Sequence, residues 1–263
     1  MLPTGLTIAG SDSCGGAGIQ ADIKTFSALG VYGMSAITAI TAQNTQGVTD
    51  IRELDTAIIR AQIDAIYTDI SVGAVKIGML SSTEIIQTVA EGLKSHQAHN
   101  IVLDPVMISK SGSHLLRPDA VTALKSHLIP LARVVTPNLH EAAELVGFAV
   151  DDYKKMEEAA RRIHAMGAGH VVVKGGHLSG AACDVVFDGY TFNYLENERI
   201  DTKHTHGTGC TFSSAIAAGL AQKMSLDESI RRAKVFITMA IRHGFDLGHG
   251  VGPTHHFYDF YRS

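Results

Sequence analysis

Short apolar, β-branched runs alternate with stretches of helical hydrophobic period along most of the chain, and that alternation leaves few folds open. The runs are Leu6-Thr7-Ile8-Ala9, residues 34–42, Ala74-Val75-Lys76-Ile77, Ile101-Val102-Leu103, Val134-Val135 and Val171-Val172-Val173. Runs this short and continuous read as strands buried on both faces. Between them, Ile19, Ile23 and Phe26 stripe a helix from about Ala17 to Leu29, and Ile58, Ile59, Ile63 and Ile66 stripe one near 55–70. Ser81 and Glu84 have capping-box spacing ahead of a helix carrying Ile85, Val89 and Leu93. Further helices are expected through Glu141, Ala142 and Leu145, near 153–166, and along Phe212, Ile216 and Leu220. Ser225 and Glu228 form a second capping box before a last helix striped by Ile230, Ala233, Ile237 and Ile241. Asp188-Gly189, between Val185-Val186-Phe187 and Tyr190-Thr191-Phe192, is a two-residue hairpin signal. The expected fold is therefore α/β: one domain over residues 1–263, a three-layer sandwich. Its central sheet is mostly parallel, with helices on both faces and a few antiparallel edge strands.

Composition narrows the function classes. A net charge of −4 carries no sign of a nucleic-acid partner, and no apolar run reaches transmembrane length. The chain's start, Met-Leu-Pro-Thr, has no basic leader region. Cys14, Cys183 and Cys210 form no Cys-x-x-Cys spacing and cannot all pair, which suits a reducing compartment, so a cytoplasmic enzyme is expected.

Ligands of open α/β sheets bind beyond the carboxyl ends of the strands, where Gly10, Gln43, Met79, Asp104, Asn138 and Lys174 all fall. The stretch His204-Thr-His-Gly-Thr-Gly-Cys210 runs straight into a helix of small residues. First-turn N–H groups lack intrahelical partners and the macrodipole is positive there, so Gly207, Thr208, Gly209 and Cys210 form a ready anion site. The same placement is expected to lower the Cys210 pKa. A glycine-rich helix start with a structural cysteine is the competing reading. Asp104 and Glu141 are carboxylates suited to Mg2+, although Asn138-x-x-Glu141 is also a capping-box pattern. Lys174 offers a point charge to phosphates, or is simply solvated. Gln43 both donates and accepts, which suits the edge of a heterocyclic base. Asp22 lies near the buried face of its helix and needs a partner, structural or ligand. His204 and His206 read as loop histidines, since no third metal ligand is spaced to join them. No G-x-x-x-x-G-K-[ST] occurs. Gly16-Ala17-Gly18 with Ala21 fits a dinucleotide fingerprint poorly, standing well past its strand.

Taken together, Ala9-Gly10-Ser11-Asp12 with residues 15–25, Thr41-Ala42-Gln43-Asn44-Thr45, Lys76-Ile77-Gly78-Met79, Thr136-Pro137-Asn138 with Glu141-Ala142, Lys174-Gly175-Gly176-His177, residues 204–210 and Gly250-Val251-Gly252-Pro253 resemble, in order, the hydroxymethylpyrimidine and phosphomethylpyrimidine kinases. These belong to the ribokinase superfamily. The resemblance covers essentially the whole chain. It implies an ATP- and Mg2+-dependent kinase of thiamine biosynthesis that phosphorylates 4-amino-5-hydroxymethyl-2-methylpyrimidine and then its monophosphate. It further implies that Gln43 and Asp22 read the pyrimidine edge and that Gly10, Met79 and Val106 line its pocket. Gly207, Thr208 and Gly209 would be the anion hole, closed by Cys210. Lys174 and Asn138 would serve ATP, and Asp104 and Glu141 the metal. A homodimer is implied as well. Relatives sharing the Gly-Thr-Gly-Cys loop phosphorylate pyridoxal or pyridoxine, and a non-catalytic pyrimidine-binding protein is the reading from another class.

Overall fold

A computed structural model describes residues 2–108, 115–117, 119–176 and 182–261. The chain opens with β1 (Thr4–Asp12), α1 (Gly18–Ala28), β2 (Tyr32–Gln43), β3 (Val48–Glu53), α2 (Thr56–Tyr67), β4 (Ala74–Ile77), α3 (Thr83–Ser95) and β5 (Ile101–Leu103). A short α4 (Ala120–Ala123) continues through a wide turn and a tight turn to Leu131. There follow β6 (Val134–Val135), α5 (Leu139–Val146), α6 (Tyr153–Ala165), β7 (His170–Val173), β8 (Ala182–Phe187), β9 (Phe192–Asn197), α7 (Thr208–Ala221) and α8 (Leu226–Arg242). The strands make one sheet in the order β3-β2-β1-β4-β5-β6-β7-β8-β9. From β2 across to β7 every pairing is parallel, while β3, β8 and β9 pair antiparallel at the two edges.

Strand alternation sorts the core into two layers. On β4, Val75 and Ile77 join the cluster formed with α2, α3, α5 and α6, whereas Ala74 joins the one formed with α1, α7 and α8. On β1, Leu6 and Ile8 face the first cluster, which turns Thr7 toward α1 and α7. α7 is buried along nearly its whole length because it lies flat on the sheet under α8. Its small residues, with Gly219 packed against Ser229 of α8, permit that close approach.

The three-layer reading therefore holds, with three local corrections. The first concerns the cap of α3, which is Ser82 rather than Ser81: Ser82 accepts the Ile85 N–H, and the Ser81 hydroxyl is buried without a partner among the described residues. The Asp188-Gly189 turn is a four-residue connection rather than a two-residue one. The Asp188 carboxylate accepts from the N–H groups of Tyr190 and Thr191, which pulls both residues out of the strand. The third correction is β3, which the sequence pattern does not reveal. Its polar run Val-Thr-Asp-Ile-Arg-Glu is mostly exposed, so no burial pattern marks it.

Candidate active site

The carboxyl ends of β1, β2, β4, β5, β6 and β7 and the start of α7 surround one cavity of about 440 Å3. Gly10, Gln43, Met79, Val106, Asp104, Asn138, Glu141, Lys174 and the turn Gly207-Thr208-Gly209-Cys210 all line it. Asp22 does not. His177 of the Lys174-Gly175-Gly176-His177 motif lies outside the described residues.

Gly207 is the N-cap of α7 and adopts a left-handed conformation, φ +79°. A Cβ there would meet the Gly16 carbonyl oxygen at 1.7 Å, so both the backbone angle and the packing require glycine. The turn is thereby pressed against the loop after β1 and lines the cavity, although the Thr208 N–H is already taken by the Thr205 carbonyl at 3.3 Å, which corrects its expected place among the anion donors. Gly209 sits over the ion pair of the site: a Cβ there would be 3.3 Å from Lys174 Nζ and 3.4 Å from Asp104 Oδ2. Lys174 Nζ donates to Asp104 Oδ1 at 2.9 Å, and Thr136 Oγ1 donates to the same oxygen at 3.1 Å. Lys174 is thus a paired, partly buried cation rather than a solvated one. Burial opposes its charge, but Asp104 and Glu141 outweigh that and raise its pKa.

Asn138 and Glu141 form a complete capping box: Asn138 Oδ1 accepts the Glu141 N–H at 3.0 Å, and Glu141 Oε2 accepts the Asn138 N–H at 2.8 Å. The local-structure reading of that pair is therefore realised. It leaves Glu141 buried beside the cavity, and burial, with Asp104 nearby, pushes its carboxyl up to about 7 against the pull of Lys174. Asp104 and Glu141 line one cavity with hard carboxylate oxygens, a donor type that suits a hydrated Mg2+ ion.

Cys210 corrects an expectation. Burial pushes its thiol up to about 11, and the opposing pulls of Lys76 and the Gly18 N–H do not overcome it. The helix start favours a thiolate, but desolvation is the larger effect. Asp22 corrects another. Its side chain is fully buried, salt-bridged to Lys76 at 2.9 Å, and bonded to Thr7 and Ser214, so it reads no ligand edge.

His206 is neither a loop histidine nor a partner of His204. It is buried, with Nε2 2.8 Å from Asp12 Oδ2. Asp12 also accepts the N–H groups of Cys14, Gly16 and Ala17. Burial raises the Asp12 pKa, but the bond from His206 and those N–H groups outweigh it and lower the value. Asp12, Cys14 and His206 come close enough to suggest a metal site. The carboxylate oxygens, however, are already committed to these donors, and the cluster serves as a pin between the loop after β1 and the turn before α7. Gln43 Nε2 lies 3.5 Å from His206 Nε2, at the mouth of the cavity. Gly250 and Val251 donate backbone N–H groups to Thr45, and His206 donates its own N–H to the Gly252 carbonyl, which brings the C-terminal motif to the same rim.

The site brings together a helix start, a cation–carboxylate pair and an amide on a largely apolar wall. The whole chain is similar to known proteins. The sequence model described as phosphomethylpyrimidine kinase matches residues 12–255. The hydroxymethylpyrimidine/phosphomethylpyrimidine kinase of Rhizobium meliloti (strain 1021) is 53% identical over 267 residues, covering 100% of each chain. Among solved structures, phosphomethylpyrimidine kinase from Clostridium difficile 630 superposes with a TM-score of 0.81 at 48% identity, covering 90% of this chain and 99% of that one. The pyridoxal kinase of Staphylococcus aureus in complex with AMP-PCP and pyridoxal gives 0.92 at 38% identity, covering 99% and 95%. With the match running from Asp12, which pins the turn, through the α7 start to the C-terminal rim, the chain belongs to the phosphomethylpyrimidine kinase family.

Proposed function

We propose that this protein is an ATP-dependent kinase that phosphorylates 4-amino-5-hydroxymethyl-2-methylpyrimidine and then its monophosphate, giving the diphosphate used in thiamine biosynthesis. The observation that carries this reading is the Gly207–Cys210 turn, opening into one cavity that also holds Lys174, Asp104 and Gln43. A relative named for both steps and a solved structure named for the second support it. The complex of the S. aureus relative with AMP-PCP supports ATP as the phosphoryl donor.

In this reading the pyrimidine lies between Met79 and Val106 over Gly10, with Gln43 bonding to its ring edge. Glycine at position 10 lets the Met79 side chain pack directly on the β1 backbone as a pocket wall, since a Cβ there would overlap the Met79 methyl at 2.5 Å. Lys174 and Asn138 hold the nucleotide phosphates. Asp104 and Glu141 are the residues that would hold Mg2+, which when bound neutralises phosphate charge. In the first step the substrate hydroxyl oxygen bonds to the γ-phosphorus as the bond to ADP breaks, and the hydroxyl proton passes to Cys210 in its minor thiolate form, which becomes the neutral thiol. The N–H groups of Gly207 and Gly209 stabilise the charge on the transferring group, which is the main demand of a loose phosphoryl transfer; the Thr208 N–H stays with the Thr205 carbonyl and holds the turn's shape. In the second step the acceptor is a phosphate monoester, already anionic near neutral pH, and needs no base.

We further read the protein as a cytoplasmic homodimer with no nucleic-acid or membrane partner. The net charge of −4 speaks against a nucleic-acid partner and the three free cysteines suit a reducing compartment, while the homodimer rests on the family resemblance alone. Among the described residues no helix is long and apolar enough to cross a membrane. A second reading, pyridoxal kinase, is favoured by the close superposition on the S. aureus enzyme. Initial rates of ADP release with Mg-ATP separate the two: hydroxymethylpyrimidine should exceed pyridoxal in kcat/KM by at least about tenfold, a difference of about 1.4 kcal/mol. A preference for pyridoxal would move the protein to vitamin B6 salvage.

A further inference from the structure

Beneath the Gly207–Cys210 turn lies a charge pair that the mechanism above does not use. Lys76 on β4 is fully buried, and strand alternation with Ala74 turns its side chain to the α7 face. Its Nζ donates to Asp22 Oδ2 at 2.9 Å, and Asp22 is fully buried too. The same Oδ2 accepts from Thr7 Oγ1 at 2.6 Å, and Oδ1 accepts from Ser214 Oγ at 2.6 Å. One carboxylate thus ties α1, β1, β4 and α7 together. Ser214 follows Cys210 by four residues, so it lies on the same helix face one turn further on. The network is therefore anchored directly under the thiol.

Packing alone does not account for this pair. Desolvating two charges is costly, and an apolar pair of similar volume would fill the space with no loss of stability. The ammonium also crowds the cavity wall: a Cβ at Gly78 would sit 2.6 Å from Nζ, so glycine beside Met79 keeps the cation's place. The charges whose fields reach Cys210 are those of Lys76 on β4, Asp22 on α1, Asp104 after β5 and Lys174 after β7, with the Gly18 N–H at the start of α1 hydrogen-bonded to its sulfur. Lys174 is bonded to Asp104 and opens to the cavity, where nucleotide phosphates compete for it. Lys76 has no such competitor, and among the described residues Asp22 is its hydrogen-bond acceptor.

We propose that Lys76 is a positioning residue of the phosphoryl-transfer site: its ammonium, held in place by Asp22, Thr7 and Ser214, is the built-in counter-charge for an ionised Cys210. It acts through the thiol and touches neither substrate nor nucleotide. The proposal rests on the kinase reading only for its catalytic consequence, because thiol reactivity can be measured without turnover.

The test is the pH dependence of Cys210 alkylation by iodoacetamide, a neutral probe, followed at the Cys210 peptide by mass spectrometry in EDTA without nucleotide. Lys76→Met removes the cation and should move the curve to higher pH by about one unit, alkylating roughly tenfold more slowly at pH 8. Asp22→Asn removes the opposing charge and should move the curve the other way. Thr7→Val loosens the same network without changing charge and should stay on the wild-type curve. If Lys76→Met does not fold, the Asp22→Asn shift against Thr7→Val still decides, as does the double variant, whose curve should fall between the singles. A Lys76→Met curve that coincides with wild type would overturn the proposal, as would shifts of one sign in both charge variants. Either result would leave the kinase reading untouched.

Discussion

Cys210 is the residue whose chemistry depends most on its surroundings. With burial pushing its thiol up to about 11, Cys210 is overwhelmingly protonated at pH 7. Below that value the thiolate fraction grows about tenfold per pH unit, so phosphorylation of the hydroxymethyl group should accelerate steeply from pH 7 to 9. The second step, with its anionic acceptor, should stay nearly flat over the same range. Cys210→Ala should slow the first step by roughly a hundredfold and the second by no more than about threefold. Quenched-flow measurements on each purified intermediate separate the steps, and equal losses with parallel pH profiles would remove Cys210 from the role of base. The position of Cys210 is legible in the Gly-Thr-Gly-Cys pattern, because glycines at a helix start announce an anion site. Its ionisation is not legible, since a helix start in the sequence reveals the dipole but not how deeply the sulfur is desolvated. The same holds for Asp22: its spacing from Ile19 and Phe26 reveals burial, but its partner Lys76 stands 54 residues away. The Asp12–His206 pin spans 194 residues, and no local pattern signals it.

At the scale of elements, α7 is the organising piece. Its N-terminus supplies the donors, and its buried length fixes where they point. Gly207→Ala tests that directly. The added methyl would collide with the Gly16 carbonyl and force a left-handed backbone on alanine. We expect kcat/KM to fall by at least about a hundredfold, as when an oxyanion donor is lost. A stability loss of about 1–3 kcal/mol should accompany it, visible as a lower Tm. Near wild-type activity in this variant would argue against the turn as the anion hole. Helices and buried strands are legible in this sequence because each carries a strong 3.6-residue stripe or a continuous apolar run. The Asn138–Glu141 and Ser225–Glu228 caps are legible for a related reason, being local side-chain-to-backbone bonds written at fixed spacing. The Asp188 loop and β3 escape because a single carboxylate bonding two N–H groups, and a polar edge strand, leave no periodic trace.

Across the whole molecule, parallel pairing brings six strand ends to one rim, and α7 and the Gly250–Pro253 segment close it from the far end of the chain. The order of elements implies this convergence. Alternating strands and helices build a parallel sheet, and parallel strands all end on the same side. That is why positions scattered from Gly10 to Cys210 are expected to meet on the order of elements alone. What the topology leaves open is which side chains face the cavity and which lock the layers beneath it, and the separate fates of Gln43 and Asp22 show that difference. The central claim is that this one rim performs two successive phosphoryl transfers on one pyrimidine. The most direct measurement is the amount of ADP formed per hydroxymethylpyrimidine consumed, at completion, by purified protein with excess Mg-ATP, with the products identified by mass. We expect about two ADP per substrate and a pyrimidine diphosphate as the only end product. One ADP per substrate, with the monophosphate accumulating unchanged, would contradict it.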